Sequence, residues 1–353
     1  MKAVLLAGGF GTRLRPLTLD TPKPIVPVFD RPLLRYQIEQ LKQLPEIDEI
    51  ILSLNYQPNA IEDVFGNGSE IGVRIRYMVE PSPLGTGGAV KFAAGDIEDT
   101  ILVFNGDVLT NTNLSEVIEL HRTRAAKATI VLTPVDNPSA YGLVETDKVG
   151  NVRQFLEKPS GDQITCNTIN AGIYVLEPVT FDRIPDNTNW SIERKYFPSL
   201  IENRETFVAY IDGGYWIDIG TPEKYLQVHR DIMTGTCQSY PFGDGSSGSS
   251  HVAQTATVSS DAKLEDVCFI ADQVQVDPGA TIRSYSVIGT GVRVGSGAVI
   301  DGAVVWPGAT VGVNATVTGS IIGRQVTVGD HAVIGPRAVV GDNSVISPYS
   351  RIE

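Results

Sequence analysis

The run Lys2-Ala-Val-Leu-Leu-Ala-Gly-Gly-Phe-Gly-Thr-Arg-Leu-Arg-Pro-Leu-Thr18, followed closely by Thr21-Pro-Lys-Pro24, decides how the first two thirds of the chain are read. Five apolar or small residues that run straight into glycines read as a buried first strand ending in an open loop, where backbone N–H groups can face a polyphosphate without side-chain obstruction. Two commoner nucleotide motifs fail: Leu14 stands where a third glycine of a dinucleotide fingerprint would fall, and no Gly-Lys-Ser/Thr closes a phosphate loop. What remains is a loop carrying Arg13, with Lys23 set in a stiff Pro-Lys-Pro.

Outward from this loop, short apolar runs alternate with amphipathic stretches up to about Gly235. Leu33 to Leu44, Ala89 to Gly95 and Leu114 to Arg124 read as helices; Ile50 to Leu54, Val73 to Met78, Thr100 to Phe104 and Thr129 to Leu132 read as strands. That alternation predicts an α/β domain with a mostly parallel sheet over residues 1–235. The stretch Phe242-Gly-Asp-Gly-Ser-Ser-Gly-Ser-Ser250 has no apolar period, so residues 236–251 are expected to be a linker. From Val252 an apolar residue recurs every sixth position to Ile300, then, after one-residue slips, at Val305, Val311 and Val317 and from Ile322 to Ile352. Such hexads predict a β-solenoid over 252–353.

With 42% hydrophobic and 20% charged residues in 353, the composition is that of a well-packed globular chain. A net charge of −13 argues against partners held by broad phosphate neutralisation, so neither nucleic acid nor an anionic membrane is expected. Three scattered cysteines suggest no disulfide framework or zinc site, and no segment resembles a signal peptide or membrane span, which together predict a cytoplasmic protein.

Two aspartates stand out. Thr100-Ile-Leu-Val-Phe-Asn-Gly-Asp107 should place Asp107 at the carboxyl edge of the sheet, where α/β proteins bind ligands, and Tyr215-Trp-Ile-Asp-Ile-Gly220 offers Asp218. Two separated carboxylates are hard oxygen donors of the kind Mg²⁺ prefers.

Taken together, Gly-Gly-x-Gly-Thr-Arg-Leu-x-Pro-Leu-Thr and Pro-Lys-Pro resemble the signature of the sugar-1-phosphate nucleotidyltransferases, and the tail resembles the hexapeptide-repeat solenoids. The resemblance implies a Rossmann-like α/β nucleotidyltransferase with a mixed, mostly parallel sheet, followed by a left-handed parallel β-helix. It implies that Leu6, Ala7, Gly8, Gly9, Gly11 and Thr12, with Gly85 and Thr86, cradle a nucleoside triphosphate, and that Arg13 and Lys23 hold its phosphates in the transition state. Asp107 and Asp218 would bind Mg²⁺. Phe155-Leu-Glu-Lys-Pro159 and Asn170-Ala-Gly172 resemble the sugar-phosphate side, with Lys158 on the phosphate, Glu157 and Asn170 on hydroxyls, and Gly142 as a backbone contact.

Related thymidylyl enzymes carry a glutamine before a similar Pro-Ser-Pro, whereas this chain has Glu80. A carboxylate only accepts, which suits the adjacent N1–H and N2–H donors of guanine. Glu80 thus favours GTP, and the resemblance implies mannose 1-phosphate as the second substrate, with glucose 1-phosphate and UTP or dTTP as the alternative. A solenoid acyltransferase would need a base, and the tail offers only His251 and His331. A silent subunit is disfavoured because every charged residue of the motifs is present. The open end of the solenoid predicts a homo-oligomer, and residues 1–235 alone are expected to carry the complete site.

Overall fold

A computed structural model describes residues 1–157, 164–243 and 245–353. The chain divides into two compact units, one of Met1–Gly9 with Gln37–Trp216 and the other of Phe10–Tyr36 with Ile217–Glu353.

In chain order, β1 (Lys2–Leu6) is followed by a two-residue antiparallel pair, β2 (Pro27–Val28) and β3 (Arg31–Pro32). Then come α1 (Leu33–Leu41), β4 (Glu49–Leu54), α2 (Pro58–Phe65), β5 (Ile75–Val79) and α3 (Gly85–Ala94). Next are β6 (Ile101–Asn105), β7 (Val108–Thr110), α4 (Leu114–Thr123), β8 (Ala128–Pro134), β9 (Gly142–Thr146) and β10 (Val152–Glu157). The series closes with β11 (Thr168–Leu176), α5 (Phe197–Glu202), β12 (Phe207–Ile211), β13 (Trp216–Asp218) and α6 (Pro222–Met233).

Within the first unit, β1 lies between β4 and β6, parallel to both, with β5 outside β4. All six residues of β4 are buried, as helix-covered parallel strands require, and Val4, Leu5, Ile51, Leu102 and Val103 are wholly excluded from water. The sheet changes sense at β11, which runs antiparallel to β6, β8 and β9. β1, β4, β5, β6 and β8 stand within a few residues of the expected strands. α3 starts earlier than the apolar pattern suggested, because Gly85 at φ +67° turns the chain into it.

In the second unit, eighteen two- or three-residue strands, β14 (His251–Val252) to β31 (Arg351–Ile352), form three six-stranded parallel sheets. Every predicted hexad residue falls on a strand, and partners in successive coils are 18 apart, as Val252 with Ile270, or 17 across a slip, as Ile288 with Val305. The slips therefore shorten a turn without breaking the interior ladder of Ile270, Ile288, Val305 and Ile322. The expected linker carries anchors, since Cys237 and Phe242 are buried and the Phe242 ring meets Phe29 edge-on at 5.7 Å. Buried His229 joins segment 10–36 to α6: its Nε2 accepts from the Phe29 N–H at 3.1 Å, and its Nδ1 lies 2.7 Å from the Tyr225 carbonyl. Burial pushes this imidazole down to about 4, so it stays neutral.

Candidate active site

The carboxyl end of β1 is crossed by the turn that carries Asp107. Gly106 donates its N–H to the Leu6 carbonyl at 2.9 Å, and a Cβ on Gly106 would lie 2.7 Å from that oxygen, so only glycine lets the turn approach. The turn is held from below by Gln37, whose side-chain amide donates to the carbonyls of Asn105 at 2.8 Å and Val108 at 2.6 Å. Sequence reasoning missed this residue. Its signal was a polar side chain on the apolar stripe Leu34, Ile38, Leu41 of α1, where a buried amide has to find partners.

One step further along the loop, the Ala7 N–H donates to Ser53 O at 2.9 Å, and a Cβ on Gly8 would lie 3.0 Å from the Asn55 nitrogen and 3.4 Å from Glu80 Oε1. Leu6, Ala7 and Gly8 thus run between the Asp107 turn and the Glu80 carboxylate. Glu80 is 9% exposed; its Oε1 accepts from the Ser53 hydroxyl at 3.2 Å and its Oε2 from the Leu84 N–H at 2.9 Å. Burial raises its pKa against these two bonds. The carboxylate therefore pins the Pro81-Ser-Pro-Leu84 turn, and an ionised carboxylate has about four acceptor positions, of which these bonds use two.

Gly85 and Thr86 head α3. The Thr86 hydroxyl donates to Glu193 Oε2 at 2.8 Å and accepts from the Ile192 N–H at 2.9 Å, so it braces the helix against segment 191–193. The hydroxyl's one proton is given to Glu193, so a nucleotide at this turn would meet Thr86 through its backbone or the remaining hydroxyl lone pair.

On the sugar side, Gly142 and Glu157 are register partners at the ends of β9 and β10. Lys158 lies outside the described residues. Asn170 also has a task within the fold: its carbonyl accepts from the Gly172 N–H and its amide donates to the Tyr174 hydroxyl, both at 2.9 Å. These bonds staple a bulge at which β11 changes register, leaving one N–H and one lone pair of the side chain for other work. Gly172, at φ +78°, presses on Asn105, and a Cβ there would lie 2.8 Å from Asn105 Nδ2. The bulge thereby abuts the residue two places before Asp107.

The second unit holds the cations. Gly11 has φ +60°, and a Cβ on it would meet Lys23 Cβ and Thr18 Cγ2, each at 3.1 Å. The Thr18 hydroxyl donates to Gly11 O at 2.8 Å, closing the loop around the single 3₁₀ turn Thr12–Leu14. Leu14 is the buried anchor, and Arg13 beside it is exposed. Lys23 is 8% exposed, with prolines on either side. The Arg13 guanidinium lies against Gly220: a Cβ there would be 2.7 Å from Nη2 and 2.9 Å from Cζ. Asp218, two residues earlier, forms an ion pair with Lys224 in the first turn of α6. Neither Gly220 nor Lys224 was singled out from sequence, yet the first meets the arginine of the first motif and the second pairs with the aspartate at the end of β13.

Residues 2–235 match the nucleotidyl transferase family, and residues 247–352 match the left-handed β-helix domain described for EIF2B subunit epsilon. The chain belongs to the nucleotidyl transferase family. This nucleotidyl transferase is 40% identical to the mannose-1-phosphate guanylyltransferase of Mycobacterium tuberculosis, over 85% of this chain and 82% of that one. It is 36% identical to a probable mannose-1-phosphate guanylyltransferase 1 of Oryza sativa subsp. japonica, over 86% and 82%. The crystal structure of HddC from Yersinia pseudotuberculosis complexed with GMP-PN superposes with a TM-score of 0.54 at 31% identity, covering 64% of this chain and 96% of HddC. The family and these relatives make it a sugar-1-phosphate nucleotidyltransferase, joining a nucleoside triphosphate to a sugar 1-phosphate.

Enzymes of this family use a divalent metal ion. The donor chemistry present fits one: Asp107, in the turn after β6, and Asp218, at the end of β13, carry hard carboxylate oxygens of the kind such an ion takes. Among the described residues no group of three or more His, Cys, Asp and Glu is assembled to hold a metal. Among the described residues no helix is long and apolar enough to cross a membrane.

Proposed function

We propose that this enzyme makes GDP-mannose from GTP and mannose 1-phosphate. The observation that carries the choice of base is Glu80, a nearly buried carboxylate beside Gly8 with acceptor positions to spare. Guanine presents two adjacent donors, N1–H and N2–H, that such a carboxylate satisfies, whereas uracil and thymine present one donor flanked by carbonyls. The names of the two relatives and the GMP-PN in HddC support this reading.

In the proposed reaction, an oxygen of the sugar phosphate attacks the α-phosphorus of GTP in line, the bond to the β-phosphate oxygen breaks, and pyrophosphate leaves. The nucleophile is already ionised near neutral pH, so no general base is required. Leu6, Ala7, Gly8, Gly9, Gly11 and Thr12, with the head of α3 at Gly85 and Thr86, line the nucleotide. Arg13 and Lys23 neutralise its phosphates, a task of fixed charge and position more than of covalent chemistry. Lys158 pairs with the sugar phosphate, and Gly142, Glu157 and Asn170 orient the sugar. Asp107 and Asp218 would hold Mg²⁺, which when bound would supply further charge neutralisation on the phosphates. We also read the solenoid as the contact of a homo-oligomer. The acidic chain with three scattered cysteines suits the cytoplasm.

A matrix of nucleoside triphosphates against sugar 1-phosphates, assayed with Mg²⁺ by pyrophosphate release, tests the proposal. The highest kcat/KM is expected for GTP with mannose 1-phosphate. A best rate with UTP or dTTP would refute the role given to Glu80.

A further inference from the structure

Between Arg13 and Lys23 the chain rests on the solenoid. The Pro16 ring packs on Gly341, where a Cβ would lie 3.0 Å from Pro16 Cβ. Five residues on, the Thr21 hydroxyl donates to Asp342 Oδ2 at 3.3 Å, and the other oxygen, Oδ1, accepts from the Arg324 N–H of the preceding coil at 2.7 Å. Gly341 and Asp342 form one turn, between β29 (Val339–Val340) and β30 (Val345–Ile346). One corner of the solenoid thus supports both ends of the stretch that separates the two cations. Two further ties lie downstream: Trp306 donates its indole N–H to the Tyr225 hydroxyl at 2.9 Å, and that hydroxyl donates to Pro27 O. The Phe29 ring meets Phe269 of the solenoid edge-on at 5.0 Å.

Lys23 is stiffly coupled to the first of these contacts. It follows Thr21 with only Pro22 between and is itself followed by Pro24, so two rings restrict the backbone on either side. Its Cβ also packs where a Gly11 side chain would stand, so a shift at Thr21 is felt at the glycine loop. Asp342 is half-buried, and burial raises its pKa while the bonds from Arg324 and Thr21 oppose that shift. A polar group withdrawn from water at this point has to be matched by its partners.

We infer that Asp342 is a positioning residue for the nucleotidyl transfer, acting through Thr21 to hold Lys23, so that the β-helix is a working part of the active site and not only a surface for assembly. The inference rests on the phosphate-binding role proposed for Lys23. It also revises the expectation that residues 1–235 carry the complete site, because segment 10–36 belongs to the same compact unit as the solenoid.

A double-mutant cycle on the full-length enzyme tests this, with Lys23→Ala measured in parallel. Thr21→Val and Asp342→Ala are each expected to lower kcat about ten- to a hundredfold, the scale of a small misplacement of a catalytic group. The double variant should be no worse than the poorer single one, since both remove the same link. Asp342→Asn should recover most of the activity, because its carbonyl still accepts from Arg324 while its amide donates to the Thr21 oxygen. Thermal melts of all variants should stay close to the parent, which separates positioning from general destabilisation. A severe loss in Lys23→Ala together with additive effects in the cycle, or with a normal kcat for Thr21→Val, would overturn the inference while leaving Lys23 in place. Near-normal turnover by Lys23→Ala would overturn the role of Lys23 and the inference with it.

Discussion

Glu80 shows how one side chain can serve the fold and the ligand together. Its bonds from Ser53 and Leu84 fix the turn into α3, and its burial raises the pKa above that of an ordinary glutamate. Only the ionised form accepts from both guanine donors. The KM for GTP should therefore climb as pH falls toward this raised pKa, beginning at a higher pH than the usual carboxylate value of about 4.3 would give. For stability the sign is opposite: the raised pKa favours the folded state at low pH, and that contribution is lost as pH rises through the folded value. Glu80→Gln should raise the KM for GTP about ten- to a hundredfold, the weight of a hydrogen bond to a charged group, and flatten the pH dependence of that KM. An unchanged KM in the variant would reduce Glu80 to a structural cap.

At the scale of the element, the bulge in β11 is the feature that most directly supports the site. Asn170 closes it, Gly172 supplies the left-handed backbone, and the resulting kink meets Asn105 at the end of β6. Gly172→Ala would place a methyl 2.8 Å from Asn105 Nδ2 in a backbone conformation that L-residues avoid. We expect a loss of about 1–3 kcal/mol, read as a melting temperature several degrees lower, together with reduced turnover because Asn105 leads into the Asp107 turn. A variant that melts and turns over like the parent would show that β11 tolerates the strain and that the bulge does not support Asp107.

For the whole molecule, the proposed assembly is argued from the coil that carries β30 and β31. Val345 and Tyr349 are each 74% exposed there, and the Tyr349 ring stacks on His331 at 4.7 Å, which makes an exposed patch with apolar surface. If this patch is the homo-oligomeric contact, light scattering at micromolar concentration should give a multiple of 38.0 kDa, and the pair Val345→Asp with Tyr349→Asp should return the mass to that of one chain. A parent protein already monomeric at that concentration would rule the contact out.

The sequence alone determined the two architectures, because each rests on a period that side chains impose locally: apolar runs between amphipathic helices in one case, and hexads in the other. It also marked Gly8, Gly11, Arg13, Lys23, Asp107 and Asp218 as candidates, through motifs that resemble one family's signature, since each of these residues taken singly would read as an ordinary turn or cap. Tertiary structure decided what no local pattern encodes. Gln37 fastens the Asp107 turn, Gly220 receives the Arg13 guanidinium, Asn170 is largely spent on its own bulge, and Asp342 reaches Thr21 across 321 residues of chain. Each of these depends on which backbone atoms a polar side chain meets once the core has closed, and burial decides which of those meetings have to be satisfied.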